Sequence, residues 1–204
     1  MKIFVGISGA SGSIYAARLL RALDQGGHDI TVCVSNGAVE VMRFEARPAA
    51  GELPAQALSR QQVINNFLQA SGIGPDPLWL VSPDTMSNAY ASGSSLGDAA
   101  IICPCSMSTV GSIAAGITRN LIHRVADVMI KESRPLVVVP RETPLSEIHL
   151  RNLLTLRQAG VQVVPAMPAF YNEPRTIEDL ADFVVGKVLD VLQIRHELFN
   201  RWEG

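Results

Sequence analysis

The sequence lacks the features that mark several large classes of protein. Its three cysteines are an odd number, so a disulfide framework is not expected. Cys103 and Cys105 stand too close together for a CxxC redox pair, and the sequence has no second pair for a zinc site. No apolar run reaches the ~18 residues that a membrane span needs. The first apolar run ends at Gly6, which is too early for the apolar region of a signal peptide. We therefore expect a cytoplasmic protein without a metal site.

A strong charge of either sign is also missing. The chain carries 17 basic and 19 acidic residues, which gives a net charge of −2. This balance argues against a nucleic acid or an anionic membrane as the partner. With 48% hydrophobic and 18% charged residues among its 204, the chain has the composition of a globular protein, and its length favours a single domain.

Short apolar runs, typical of strands, alternate with segments that have the apolar spacing of helices. The apolar runs cover residues 2–7, 29–35, 78–81, 99–103, 135–139 and 161–164. The helical segments cover residues 14–23, 36–45, 61–70, 106–115, 119–132 and 146–159, and a last one, capped by Thr176, ends at Leu192. Strands without polar residues, each followed by a helix, predict a parallel sheet with helices on both faces, which is a three-layer α/β/α fold.

The last residues form an appendage to this predicted domain of residues 1–192. Within the tail, residues 193–204, an apolar stripe at helical spacing is formed by Ile194, Leu198, Phe199 and Trp202. Such a stripe is expected to pack on another apolar surface. Two alternatives are open, because that surface belongs either to the same domain or to a neighbouring subunit.

The turn after the first predicted strand, residues 9–12, reads Gly-Ala-Ser-Gly and leads directly into a helix. Amide groups at such a turn and at the helix start can bind an anion. The turn matches neither the NTPase phosphate loop nor GxGxxG, and the second strand ends at Ser35 and Asn36, without the acidic residue that binds a dinucleotide ribose. NAD is therefore disfavoured, whereas a mononucleotide such as FMN fits. The alternative is a tight turn without a ligand.

Two further segments place polar residues near strand ends. Residues 106–109, Ser-Met-Ser-Thr, open a helix and offer either a second anion site or an ordinary N-cap. Arg124 and Lys131 are seven residues apart on one helix and share a face, which is either a solvated basic face or a phosphate site. Arg141 and Glu142 directly follow a fully apolar strand, and a charged pair there favours the phosphate site. None of the four histidines lies in an HxH, HExxH or Gly-x-Ser-x-Gly motif, so no catalytic role is assigned to them.

Several motifs, in the same order along the chain, resemble those of the UbiX/Pad flavin prenyltransferases. They are Gly9-Ala10-Ser11-Gly12, Ala91-Ser92-Gly93-Ser94-Ser95, Cys103-Pro104-Cys105-Ser106, Asn120-Leu121, Arg124-Val125-Ala126-Asp127, Lys131-Glu132, Pro140-Arg141-Glu142-Thr143-Pro144, His149-Leu150-Arg151-Asn152 and Pro165-Ala166-Met167-Pro168-Ala169-Phe170-Tyr171. The resemblance spans about residues 2–192 and is weakest over residues 46–88.

The resemblance implies a flavodoxin-like, Rossmann-like three-layer fold and a homo-oligomer, commonly a dodecamer, with active sites between subunits. It also implies that reduced FMN is a substrate. A dimethylallyl group passes from dimethylallyl monophosphate to N5 and C6 of the flavin, and no metal is needed. The product, prenylated FMN, serves a UbiD-type decarboxylase, and the family is associated with ubiquinone biosynthesis.

The same resemblance implies roles for individual residues. Those on the flavin side are Gly9, Ala10, Ser11, Ser35, Ser106, Met107, Ser108, Thr109 and Arg141. Those that hold the donor phosphate are Arg124, Lys131, Arg141, Tyr171 and Lys187. Those implied in proton transfer and in the departure of the phosphate are Ser11, Glu45, Lys131 and Glu142.

Three features depart from the family pattern. Lys187 stands where many members have arginine, so a point charge replaces a bidentate fork. Ser108 stands where many have lysine, so the flavin phosphate loses one cation. Residues 85–90 do not match the segment that lines the prenyl pocket in relatives. The resemblance therefore does not fix the length of the prenyl chain of the donor.

Other functions also fit a flavin-binding fold. An FMN-dependent decarboxylase of peptidyl cysteine or phosphopantothenoylcysteine would carry a Pro-Ala-Ser-Ala-Asn-Thr segment and a histidine near the first helix. This chain has Ala91-Ser92-Gly93-Ser94 instead, and after residues 11–13 its next histidine is His28. A flavin carrier without catalysis would not need Lys131 and Glu142. We therefore expect the prenyltransferase.

Overall fold

A computed structural model describes residues 1–45, 57–73, 78–86, 89–93 and 97–200. The strands are β1 (Lys2–Ile7), β2 (Asp29–Val34), β3 (Leu78–Val81), β4 (Ala99–Cys105), β5 (Leu136–Pro140) and β6 (Gln162–Val163). They form one sheet in the order β3-β2-β1-β4-β5-β6, and every neighbouring pair is parallel. The helices are α1 (Ser13–Gln25), α2 (Asn36–Glu45), α3 (Arg60–Ala70), α4 (Met107–Ala114), α5 (Leu121–Lys131), α6 (Glu147–Gln158) and α7 (Ile177–Val191). None of these helices is both long enough and apolar enough to cross a bilayer.

The helices form a layer on each face of the sheet. Successive side chains of a strand point to opposite faces, so that on β1 Ile3 and Val5 pack with α1, α2, α3 and α7, whereas Phe4 packs with α4, α5 and α6. We call these two faces the α1 face and the α5 face. Because both faces are covered, β4 and β5 are apolar throughout and β1 is apolar after its first residue, and the predicted three-layer α/β/α fold is confirmed.

Side-chain caps set the starts of five helices, among them α3, where Ser59 accepts from the backbone N–H of Gln62. Ser106, Asn120, Ser146 and Thr176 each accept a hydrogen bond from the backbone N–H three residues further on. Each bond satisfies a donor that the first turn of a helix leaves free. The predicted starts of α4, α5 and α6 are therefore one or two residues too early, because the cap itself lies outside the helix.

The first strand occupies the point where the building direction of the sheet reverses. β1 lies between β2 and β4, so the chain adds strands first on one side of β1 and then on the other. The turns after two such neighbouring strands diverge and leave a crevice at their carboxyl ends. Here those turns are the one between β1 and α1 and the one between β4 and α4, which are the two segments with predicted anion-binding capacity.

Residues 193–200 of the tail pack against their own chain. Ile194 and Leu198 contact the core of the α1 face, and the ring of Phe199 lies 5.2 Å from that of Phe183 on α7. The helical spacing of these side chains is not accompanied by a helix, because residues 192–193 form a turn, Gln193 adopts a φ of 58°, and residues 194–200 have no regular structure. Trp202, the fourth member of the predicted stripe, lies outside the described residues.

Candidate functional site

Ser8 joins the two turns that meet at the switch point. It is buried, its hydroxyl donates to the carbonyl oxygen of Pro104 at 3.2 Å, and it accepts from the backbone N–H of Ser106 at 2.8 Å. These bonds fix the turn after β1 to the turn after β4. Ser8 was not among the predicted residues, although a single hydroxyl at the end of an apolar strand is a usable sequence signal.

Three hydroxyl groups cluster at the start of α4. The Ser106 oxygen caps the helix by accepting from the backbone N–H of Thr109 at 3.3 Å. The same oxygen lies 3.1 Å from the Ser108 hydroxyl and 3.1 Å from the Thr109 hydroxyl. Free amide groups at a helix start carry partial positive charge, so this cluster is suited to a phosphate.

The two turns contribute to a cleft of about 400 Å³ at the carboxyl ends of β1, β2 and β4, which we call the carboxyl-edge cleft. Its volume lies within the range of small-molecule sites, roughly 300–1,000 Å³. It is lined by Gly9, Ser35, Asn36, Gly37, Pro83, Asp84, Ser106, Ser108, Thr109, Arg119, Asn120 and His123. Five residues that were predicted to contact a flavin are among them: Gly9, Ser35, Ser106, Ser108 and Thr109.

The other lining residues were not predicted to contact the flavin. Many of them come from two segments that are distant in sequence, residues 83–84 and 119–123, and they meet because the backbone N–H of Leu121 donates to the carbonyl oxygen of Pro83 at 2.8 Å. Gly9 and Gly37 also approach closely, since a Cβ on Gly9 would lie 3.1 Å from the carbonyl carbon of Gly37. This close approach explains the glycine at position 9.

His123 presents a neutral imidazole to the cleft. Burial lowers the pKa of this side chain, and the positive charge of Arg119 lowers it further. Its Nδ1 atom accepts from the backbone N–H of Arg119 at 3.4 Å, so the ring proton resides on Nε2. The histidine thus offers one hydrogen-bond donor and no positive charge at neutral pH.

Glu45 caps helix α1 from the end of α2. Gly12 precedes α1 with a φ of 110° and supplies no side-chain cap. The Glu45 carboxylate takes this place, because it accepts from the Gly12 and Ser13 backbone N–H groups at 2.7 and 2.8 Å and from the Ser11 hydroxyl at 2.7 Å. Burial raises the pKa of Glu45, but hydrogen bonds from Ser11, Ser13 and Gly12 outweigh it and hold that pKa below its ordinary value.

Arg141 extends this cluster across the end of the sheet. It follows β5, and its Nε atom donates to the carbonyl oxygen of Ser11 at 2.9 Å. Glu142 is beside it and accepts from the backbone N–H of Thr143 at 3.0 Å. Ser11, Glu45, Arg141 and Glu142 thus all lie at the carboxyl edge of the sheet, near the cleft but not lining it.

The side chain of Met107, another predicted flavin contact, lies in the core. Met107 is buried in the core of the α5 face, and it does not line the carboxyl-edge cleft. The reason is that it is the first residue of α4 and its side chain faces the sheet, so its backbone amide is the group left to face a ligand.

Arg124 and Lys131 lie on α5, as predicted, and each is held by a carboxylate. Arg124 pairs with Asp127 at 2.8 Å and donates from Nε to the carbonyl oxygen of Ala91 at 3.2 Å. Lys131 lies 3.0 Å from Glu132. Both cations therefore belong to the α5 face.

Tyr171 and Lys187 meet on the α1 face. The Tyr171 ring packs edge-on against Phe183 of α7 with the centroids 5.7 Å apart. The Lys187 ammonium lies 5.5 Å from the centroid of the same ring, 4.9 Å from that of Phe199 and 3.6 Å from the Asp190 carboxylate. The aromatic rings and the carboxylate hold the cation on this face.

One chain does not bring all predicted phosphate ligands together. Arg124 and Lys131 lie on the α5 face, whereas Tyr171 and Lys187 lie on the α1 face. Arg141 follows β5 and lies at the carboxyl edge of the sheet. Lys131 ends α5, which leads into β5 at the amino edge. The length of β5, about 16 Å for its five residues, therefore lies between the two side chains.

In the described residues no cluster of three or more His, Cys, Asp or Glu side chains is arranged to hold a metal ion.

A parallel sheet covered on both faces, with a hydroxyl-lined cleft at its switch point, defines an α/β protein that binds a mononucleotide. Comparison with known proteins gives the family. The chain matches the Flavoprotein family model over residues 1–197, so it belongs to that family, and within it to the flavin prenyltransferases of the UbiX type.

The individual relatives agree with this assignment. The flavin prenyltransferase UbiX of Halalkalibacterium halodurans is 45% identical over 198 residues, which are 97% of this chain and 91% of that protein. A crystal structure of AnUbiX (PadA1) in complex with FMN and dimethylallyl pyrophosphate covers 100% of this chain and 97% of its own, at 36% identity and a TM-score of 0.85. The dodecameric FMN-dependent UbiX-like decarboxylase from Escherichia coli O157:H7 covers 100% of both chains, at 36% identity and a TM-score of 0.84.

Proposed function

We propose that this protein is a flavin prenyltransferase that joins a dimethylallyl group to reduced FMN. The allylic C–O bond of a dimethylallyl phosphate breaks, inorganic phosphate leaves, and the allyl carbon bonds to N5, which loses its proton. The remaining double bond then takes up a proton, and the cation so formed bonds to C6, which loses its proton in turn. The observation that carries the proposal is the likeness of the whole chain to AnUbiX, whose structure contains both FMN and dimethylallyl pyrophosphate.

FMN occupies the carboxyl-edge cleft in this proposal. The volume of about 400 Å³ suits a mononucleotide better than a dinucleotide. The Ser106, Ser108 and Thr109 hydroxyls and the free amides of α4 receive the phosphate. Ser35, which accepts from the backbone N–H of Ala38 at 3.0 Å, lies on the opposite wall at the start of α2.

The donor phosphate is held by cationic side chains and a tyrosine, which no single chain brings together. Arg124 and Lys131 come from the α5 face of one copy, and Tyr171 and Lys187 from the α1 face of another. The site is therefore completed by a second copy of the chain, and we propose a homo-oligomer, a dodecamer as in the Escherichia coli relative. Each copy then contributes to more than one site.

The side chains promote departure of the phosphate without forming a covalent bond to it. Arginine and lysine groups stabilise the negative charge that develops as the C–O bond breaks. Glu142, beside Arg141 at the carboxyl edge, gives a proton to the leaving phosphate and accepts one from the flavin afterwards. The Glu45 carboxylate orients the Ser11 hydroxyl at 2.7 Å, and its lowered pKa makes it a positioning group rather than a strong base.

We further propose that the donor is the monophosphate and that the prenylated FMN is passed to a UbiD-type decarboxylase. The monophosphate is carried over from the resemblance to the flavin prenyltransferases, whereas the AnUbiX structure contains the pyrophosphate; a comparison of the two donors in the assay below decides between them. The hand-over follows from the chemistry, since prenylated FMN is itself a cofactor and not an end product.

The function is tested by mass spectrometry of the flavin. The purified protein is mixed with reduced FMN and dimethylallyl monophosphate without oxygen, with a sample that lacks the protein as the control. We expect the flavin to gain one C5H8 unit and phosphate to appear in equal amount. A flavin that is bound tightly but unchanged in mass contradicts the proposal and favours a carrier; release of carbon dioxide from an added aromatic acid favours a direct decarboxylase.

A further inference from the structure

Arg119 is the positively charged residue among those described residues that line the carboxyl-edge cleft. The other titratable side chains in the lining are Asp84, which is acidic, and His123, which is kept neutral by burial. The phosphate group of FMN is close to a dianion at neutral pH. Hydroxyl and amide donors can hydrogen-bond to it, but they do not cancel its charge, and Asp84 adds a further negative charge to the cleft.

The guanidinium of Arg119 has no hydrogen bond or ion pair in the part of the chain that the structure describes. Its side chain is exposed at the position before the N-cap of α5. The cations of the other predicted contacts differ in this respect. Arg124 is paired with Asp127, Lys131 with Glu132, and Lys187 with Asp190.

Two other arginines near the carboxyl edge already donate to groups of the protein. Arg60 donates to the Asn36 side chain at 2.7 Å and to the carbonyl oxygen of Val34. Arg141 donates to the carbonyl oxygen of Ser11 at 2.9 Å. Arg119 is thus the cation whose donors remain available among the described residues that line the cleft, which also include Ser108 and Thr109.

We propose that Arg119 binds the phosphate of FMN in the carboxyl-edge cleft and makes the protein select FMN over riboflavin. The inference rests on the proposed position of FMN in this cleft. Arg119 supplies the positive charge that Ser108, a neutral residue next to the same phosphate, does not supply. Its fork of N–H donors approaches from the start of α5 while the hydroxyls and amides of α4 approach from the other side.

The test compares the dissociation constants of FMN and riboflavin, measured by flavin fluorescence for the full-length protein. In Arg119→Gln we expect Kd for FMN to rise about ten- to a hundredfold, because a charge-assisted contact is lost, while Kd for riboflavin changes less than about twofold. The matched control is Arg134→Gln, an exposed arginine just before β5 at the amino edge of the sheet, which leaves both constants unchanged. Equal loss of FMN and riboflavin binding, or an unchanged Kd for FMN, overturns the inference.

A second variant separates this inference from the position of the flavin. Ser108→Asp places a negative charge in the cleft and weakens FMN binding more than tenfold wherever Arg119 points. If Ser108→Asp weakens FMN binding and Arg119→Gln does not, FMN occupies the cleft but Arg119 is not its phosphate ligand. If neither variant affects FMN binding, the proposed position of the flavin itself is wrong.

Discussion

At the scale of single residues, Glu45 combines a structural and a chemical role. Its carboxylate accepts from the backbone of Gly12 and Ser13 and from the Ser11 hydroxyl. It therefore stabilises the start of α1 and fixes the hydroxyl that the resemblance implies in proton transfer. Sequence reasoning could carry over the chemical role from relatives. The capping role depends on a contact between residues more than 30 positions apart and is visible only in the fold.

The capping role predicts a loss of stability in Glu45→Ala. We expect the free energy of unfolding to fall by about 1–2 kcal/mol at pH 7, the usual cost of an N-cap. The pKa of Glu45 in the folded protein lies below its ordinary value of 4.5. The stabilisation is therefore complete above pH 4.5 and is lost as the pH falls through the folded-state pKa, so the difference between the two proteins shrinks below that pH in urea titrations.

The matched control for this change is Glu40→Ala on the same helix. Glu40 pairs with Arg43 at 3.3 Å and is largely exposed, so its loss costs less than about 0.5 kcal/mol. If the two variants are equally stable at pH 7, or if the effect of Glu45→Ala does not depend on pH, Glu45 is not the cap of α1.

Glu142 is expected to act on the donor and not on flavin binding. It lies at the carboxyl edge but does not line the cleft, so Glu142→Gln should leave Kd for FMN within about twofold of wild type. The rate of prenyl transfer should fall by about a hundredfold or more, because general acid catalysis is lost. Anaerobic single-turnover measurements give the rate, with Glu147→Gln on α6 as the control. Full activity in Glu142→Gln would remove this residue from the reaction.

At the scale of the helices and strands, the sequence pattern was sufficient to place each element. The predicted strands and helices all occur, because their apolar positions repeat at the period of the structure that buries them. The boundaries moved where a local interaction decided them, as at the cap Ser106. The pattern could not indicate that β6 shrinks to Gln162–Val163, since an edge strand has one neighbour and its length depends on β5.

One ion pair joins α1 to α7 beside their shared apolar core. Arg18 donates from Nε and Nη2 to both oxygens of Asp182, and the Asp182 side chain is only 11% exposed. Removal of one partner leaves the other charge without compensation between the helices. We therefore expect Asp182→Ala to lower the free energy of unfolding by about 2–3 kcal/mol.

An exposed pair provides the comparison for this prediction. The side chains of Glu147 and Arg151 on α6 form an ion pair and are each 76% exposed. Glu147→Ala should therefore lower the free energy of unfolding by less than about 0.5 kcal/mol. Denaturant titrations of both variants measure the difference. Equal costs would mean that the Arg18–Asp182 pair is as screened by solvent as the surface pair and does not hold the two helices together.

At the scale of the whole molecule, the site is divided between two faces of the sheet. The described residues that line the carboxyl-edge cleft come from one chain, and five of them could be named from the sequence because they follow strand ends. Its other residues, such as Pro83 and Arg119, come together only through the fold. The proposed phosphate ligands on α5 and α7 could be named by resemblance, yet neither pattern nor spacing indicates that they lie on opposite faces.

Mixing two inactive variants tests this division most directly. Lys131→Ala removes a ligand of the α5 face and Lys187→Ala one of the α1 face, and each variant alone should have little prenyl transfer activity. When the two are assembled into mixed oligomers at equal amounts, about a quarter of the sites receive both lysines from different copies, so we expect roughly a quarter of wild-type activity to return. Mixed oligomers that are no more active than the separate variants would show that both lysines act within one chain, or not at all, and would contradict the account.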